Sequence, residues 1–179
     1  MSLLVPVHEA PRAGYQPEVD GLRAVAVMAV LFFHAGFAVF GGGFTGVDVF
    51  FVISGYLITR ILMDSCQAGS CSFTRFMVRR IARLYPALLV TLMLCLVLGF
   101  LVFSPGYYIT LAESTIYAFF SISNIKFWLG AGYFDTSSET NPLLHTWSLG
   151  VEQQFYLVWP FIVYGTCRLN ARWLPWVLA

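Results

Sequence analysis

Tyr85–Phe103 reads YPALLVTLMLCLVLGFLVF, nineteen residues with no charged side chain. A helix crossing the hydrocarbon core of a bilayer needs about 20 mostly apolar residues, and this stretch meets that length. Pro86 falls in the first turn expected for it, where a missing N–H costs little. The rest of the chain is of the same kind. Apolar residues are 59% of the 179 and charged residues 11%, against about a quarter charged in ordinary globular chains. A soluble domain of this size leaves much of its surface in water and cannot hide such an apolar excess. The chain therefore reads as all-α and polytopic, with lipid bilayer as its solvent. A net charge of +1 provides no electrostatic footprint for nucleic acid.

Four more spans are expected around this one: about 20–40, ended by Gly41-Gly42-Gly43; about 47–63; a less apolar segment about 107–129; and about 143–164. Between the second and third, 73–84 sets Arg75, Arg79, Arg80 and Arg83 among Phe76, Met77, Val78 and Ile81, a pattern suited to an amphipathic helix at the interface. Ser104-Pro105-Gly106 is a turn, and 130–142 a polar loop. Residues 1–14 are a tail without a long apolar run, so the first span is expected to act as its own insertion signal; the rest, 15–179, is one transmembrane domain. Trp173–Ala179 opens a further apolar segment, so the sequence reads as truncated at its C-terminus.

Short loops rich in Lys and Arg stay cytoplasmic. That rule puts 64–84 and the N-terminus in the cytoplasm and the neutral Gly41–Gly46 loop outside. Simple alternation then leaves Arg168 and Arg172 outside, unless the fourth segment is re-entrant. Cys66, Cys71, Cys95 and Cys167 show no metal-ligand spacing, and the four-residue gap between Cys66 and Cys71 is a weak pattern for either a disulfide or zinc. All four read as incidental, and no metal is expected.

Ionisable groups inside a membrane each cost about 2.5–3.5 kcal/mol at mid-bilayer, so they carry the functional information. Arg23 and His34 share a face of the first span: eleven residues turn the helix roughly 20° past three full turns and advance it ~16 Å. Asp20 lies about 60° from Arg23 on the same side. A stripe with a cation at one end and an imidazole at the other is expected to face a cavity. Arg23 reads equally as a snorkelling anchor, and His34 as a structural histidine bonded to a neighbouring helix. Asp48 opens the second span, as a catalytic carboxylate or a helix-dipole partner. Ser54-Gly55-Tyr56 reads as a close helix approach. On the last span His145, Glu152 and Tyr156 fall within about 40° of one face, with Ser148 about 60° aside. Glu152 and Gln154 there need internal partners, as an interhelical hydrogen-bond network or as the wall of an active site. Glu113 reads as a helix-dipole partner.

Five blocks in order carry a resemblance: Glu18–Val27 (EVDGLRAVAV), Phe33-His34, Gly46–Tyr56 (GVDVFFVISGY), Arg79–Pro86 (RRIARLYP) and Pro142–Tyr156 (PLLHTWSLGVEQQFY). Together they resemble the membrane-bound acyltransferase-3 family, the O-acetyltransferase-like proteins that modify cell-surface glycans, over about 15–161. The resemblance implies a bundle of about ten spans, of which about five are present, and transfer of an acyl group, usually acetyl from acetyl-CoA, to a hydroxyl of an envelope glycan such as lipopolysaccharide. The acyl-CoA is then a donor substrate, with no bound cofactor. The family's arginine–ten residues–histidine motif maps onto Arg23 and His34, and its basic motif onto Arg80 and Arg83.

The chemistry fits. A hydroxyl attacking a thioester needs a general base, and imidazole is suited to that work near neutral pH. Asp48 and Glu152 are the candidate carboxylates beside it. Arg79, Arg80 and Arg83 are candidate phosphate ligands for CoA, with His145, Ser148 and Tyr156 completing the substrate contacts; the arginines also read as topological signals alone. Two rivals stand against this: a transporter or flippase, since intramembrane charges mark substrate paths, and an inactive truncated fragment.

Overall fold

The computed structural model describes residues 16–130 and 141–169. The expected tail, most of the polar loop, Arg172 and the apolar stretch 173–179 lie outside the described residues. All regular structure within them is helical: α1 (Pro17–His34), two short 3-10 turns (Ala38–Phe40 and Gly43–Thr45), α2 (Gly46–Gln67), α3 (Phe73–Val102), α4 (Pro105–Phe119), α5 (Ser123–Leu129) and α6 (Thr146–Leu169). Two compact units emerge, residues 16–71 with 162–169 and residues 72–130 with 141–161.

Among the described residues two helices are long and apolar enough to cross a membrane: α2 extended by the turn before it, Gly43–Gln67, and α3. α3 differs from expectation. The amphipathic segment and the following span are one continuous 30-residue helix with Pro86 inside it. Arginine is a good helix former, and one proline removes a single backbone hydrogen bond, so neither breaks the run. Ser72 caps it, its hydroxyl accepting from the Arg75 N–H at 3.3 Å. Along α3, Val90, Phe100 and Leu101 are 69–72% exposed, apolar surface that lipid or further protein must cover.

The other expected spans are altered. α1 stops at His34 and carries Glu18, Asp20 and Arg23 in its first half. The fourth segment is broken: α4 has 15 residues, ~22 Å of helix against a core of about 30 Å. The chain then turns at Ser121 (φ 57°) before α5. Pro105 in the first turn of α4 is placed as the turn motif predicts.

In the first unit α2 runs back along α1 at backbone contact. A Cβ on Gly46 would lie 2.4 Å from the Ala26 carbonyl oxygen, and one on Gly43 2.2 Å from that of Ala29. Only glycine permits this approach. The expected close approach at Gly55 is absent among the described residues, where an added Cβ meets open space. In the second unit Leu88 and Leu92 of α3 pack with Leu111 and Ala118 of α4 and with Leu143. α5 is tied to α6 by polar contacts: Ser123 Oγ donates to the Thr146 carbonyl at 2.8 Å, and the Asn124 and Gln154 amides exchange hydrogen bonds of 3.1 and 2.9 Å.

Candidate active site

The sequence-predicted residues fall on both units. On the first, α1 holds Arg23 and His34 and α2 holds Asp48. His34 closes the last turn of α1, where aromatic contacts pin the returning chain. The Phe32 ring meets Phe37 at 5.4 Å and Phe40 at 4.8 Å, and Phe33 meets Phe44 at 5.7 Å and the His34 imidazole at 5.0 Å. The glycine turn therefore follows the end of α1 closely, because Gly43 seats on Ala29 and Phe33. His34 is exposed on this unit, its imidazole engaged by neighbours that include the Phe33 ring.

Arg23 is half-buried, its guanidinium carbon 4.9 Å from the centre of the Phe50 ring on α2. That is a cation–π contact, and it holds the arginine against α2. Asp48 stands in the first turn of α2, where the helix dipole favours a carboxylate. The register is informative. Gly46 faces Ala26 and Phe50 faces Arg23, so Asp48 is level with the stretch between Arg23 and Ala26. His34 lies eight residues beyond Ala26, ~12 Å further along α1. Asp48 thus belongs to the arginine end of the stripe.

On the second unit α3 and α6 bring Arg80, Tyr156 and Glu152 together. The Arg80 guanidinium carbon is 5.4 Å from the Tyr156 ring centre and 5.5 Å from that of Phe76; the two rings meet edge to face at 6.3 Å. The Tyr156 hydroxyl donates to Glu152 Oε1 one turn back on α6. Glu152 is 8% exposed and Tyr156 4%. Gln154, the other polar residue expected to need an internal partner, bonds Asn124 and also donates to the Ser121 carbonyl at 3.3 Å. Phe76 is the residue that reading the sequence missed; its spacing of four from Arg80 was the available signal.

Arg79 and Arg83, one turn apart on α3, are exposed, and Arg79 Nε donates to the Arg75 carbonyl at 3.4 Å. The basic cluster therefore divides between one arginine held by rings and two facing outward. His145 is not on the α6 face expected for it. It lies in the turn before α6, because Asn141 Oδ1 accepts from the Leu143 N–H at 3.0 Å and the Thr146 hydroxyl donates to the Leu143 carbonyl at 2.6 Å, a side-chain-stabilised turn that delays the helix. The Ser148 hydroxyl donates to the His145 carbonyl at 3.1 Å. Glu113 pairs with Lys126 at 3.3 Å, an exposed contact on α4 and α5 away from the helix start where it was expected.

A family model described as an acyltransferase domain matches residues 16–179, and the chain belongs to that acyltransferase family. Among its relatives, the peptidoglycan O-acetyltransferase OatA of Listeria monocytogenes is 43% identical over 148 residues, 82% of this chain and 24% of the relative. The putative peptidoglycan O-acetyltransferase YrhL of Bacillus subtilis is 39% identical over 168 residues, 92% of this chain and 26% of the relative. The O-acetyltransferase OatA of Staphylococcus aureus is 41% identical over 154 residues, 83% of this chain and 25% of the relative. The chain thus spans about a quarter of the length of the curated relatives it matches. No solved structure matches it.

Proposed function

We propose that this chain is part of a membrane O-acetyltransferase that moves an acetyl group from acetyl-CoA to a hydroxyl of peptidoglycan. Family membership favours acyl transfer over transport. The acceptor follows the names of two relatives, which specify peptidoglycan where the family resemblance alone left lipopolysaccharide open. The observation that carries the reading is the placement of Arg23 and His34 on one helix, with the glycine turn seated on the backbone of that same helix.

In this reading His34 takes the proton from the attacking glycan hydroxyl as the new ester C–O bond forms. The thioester C–S bond breaks and CoA leaves as its thiol. Arg23, steadied by Phe50 and with Asp48 at its level, places and polarises the acyl donor. On the second unit Arg80 and Arg83 bind CoA phosphates, with Arg79 exposed beside them, Glu152 steadying Arg80 through Tyr156, and His145 and Ser148 as substrate contacts. α2 and α3 cross the inner membrane, and the arginines of 75–83 face the cytoplasm, where CoA is found. The reading is tested by assaying acetyl transfer from labelled acetyl-CoA to peptidoglycan in membranes holding the complete protein, with Arg23→Ala and His34→Ala alongside. A transporter would consume no acetyl-CoA.

A further inference from the structure

The cysteines, which spacing alone leaves without a role, are gathered by the fold. After α2 the chain reverses through a Schellman turn: the Gly69 N–H donates to the Cys66 carbonyl at 3.0 Å and the Ser70 N–H to the Ser65 carbonyl at 2.9 Å. Gly69 takes the left-handed conformation this motif requires (φ 65°). A Ser70 hydroxyl bond to the same Ser65 carbonyl, at 3.4 Å, reinforces the reversal. The result returns Cys71 onto the helix it has just left, with its Sγ 3.1 Å from Cys66 Sγ. Both are free thiols, Cys71 exposed and Cys66 half-buried. Cys167, near the end of α6, also contacts the Cys66 thiol.

We propose that Cys66 and Cys71 are a redox modification site, a reversible dithiol–disulfide couple that closes the turn after α2 by exchange with a low-molecular-weight disulfide. The separation is about 1 Å longer than a disulfide bond, a distance that side-chain rotation and a small movement of the exposed turn can close. The exposed Cys71 reacts first. Its thiolate attacks one sulfur of the disulfide RSSR, forming a Cys71 mixed disulfide and releasing RSH. Cys66 then attacks the Cys71 sulfur and releases the second RSH. Two cysteine thiols are oxidised, one RSSR is reduced to two RSH, and the two thiol protons leave with them. On the cytoplasmic side proposed for this turn, such a bond is transient and redox-sensing rather than structural. The pairing itself does not rest on the acyltransfer reading or on that orientation. The arrangement is local: it uses one turn, held by backbone hydrogen bonds, and residues five apart.

Trypsin cleavage at Arg60 and Arg75 yields a peptide, 61–75, that carries both cysteines and no others. The full-length protein in membrane vesicles is equilibrated with either dithiothreitol or oxidised glutathione, blocked with an alkylating reagent, digested and weighed. Under dithiothreitol the peptide is expected to carry two alkyl groups. Under oxidised glutathione it is expected to lose both and become about 2 Da lighter than the free dithiol, reverting on re-reduction. Cys71→Ser is expected to abolish that species and Cys167→Ser to leave it unchanged, with Cys95 alkylated throughout as the internal control. Persistent alkylation of both cysteines, a glutathione adduct on Cys71 that never resolves, or a Cys66–Cys167 cross-link in place of the internal bond would each overturn the proposal.

Discussion

The Arg80 guanidinium lies 5.4 Å from the centre of the Tyr156 ring, linking the basic run of α3 to the polar face of α6. Phe76 covers the same arginine at 5.5 Å, and the Tyr156 hydroxyl is held by Glu152. Arg80 is thereby aimed by its neighbours, while Arg83 is not.

Removing the Tyr156 ring is therefore expected to disturb donor binding through Arg80. A cation–π contact contributes from about 0.5 kcal/mol when exposed to about 2 kcal/mol when desolvated, so Tyr156→Ala should raise the acetyl-CoA KM about 2- to 30-fold, with kcat much less affected. Tyr156→Phe keeps the ring and should stay closer to the parent. Steady-state kinetics with labelled acetyl-CoA separates the two; equal KM values for both variants would contradict the role given to the ring.

Arg83→Ala should raise the donor KM with the orientation of the chain unchanged, as read by accessibility labelling of a single cysteine introduced at Gly42. If labelling shows inversion while KM holds, the arginines act only as topological signals.

Gly43 and Gly46 seat on the backbone of α1. Gly46→Ala forces its new methyl to within 2.4 Å of the Ala26 carbonyl oxygen, and overpacking of this kind costs about 1–3 kcal/mol. The melting temperature in detergent should fall by several degrees. Gly55→Ala, which meets nothing within 4 Å, should leave it unchanged or slightly higher, since alanine is the better helix former. Equal behaviour of the two variants would contradict the packing described.

The Asn124–Gln154 amide pair answers the cost of placing Gln154 within an apolar helix. Gln154→Leu strands the Asn124 amide at a cost of about 1–3 kcal/mol. Asn124→Leu combined with it should recover part of the loss, giving a measurable coupling in a double-mutant cycle. Strict additivity of the two losses would show that the pair does not stabilise the fold.

Much of the helical plan was legible because apolar length is a strong signal: the membrane-length part of α3 stands where an uncharged apolar run places it, and α2 where a mostly apolar run does. The continuity of α3 was not, since Arg75–Arg83 and Pro86 resemble a boundary, yet arginine favours helix and one proline is tolerated within a 30-residue helix. The break between α4 and α5 turns on Ser121 adopting a positive φ, which nothing in a Ser-Ile-Ser-Asn stretch announces. Of the candidate site, the face shared by Glu152 and Tyr156 followed from helical geometry alone. Three features were missed: the turn that removes His145 from that face, the ring of Phe76 over Arg80, and the level of Asp48. The first depends on side-chain hydrogen bonds that outcompete the helix, and the last on a partner helix distant in sequence. The Phe76 contact, four residues from Arg80 on one helix, was within reach of spacing alone.

His34 is the proposed base for acyl transfer. The direct measurement is the rate of labelled acetyl transfer to peptidoglycan by membranes containing the complete protein, with and without His34→Ala, at equal protein level. General-base catalysis contributes about 10²–10⁴-fold, so the variant should lose at least about 100-fold in kcat. A His34→Ala protein that transfers acetyl at a rate within a few-fold of the parent would contradict the account.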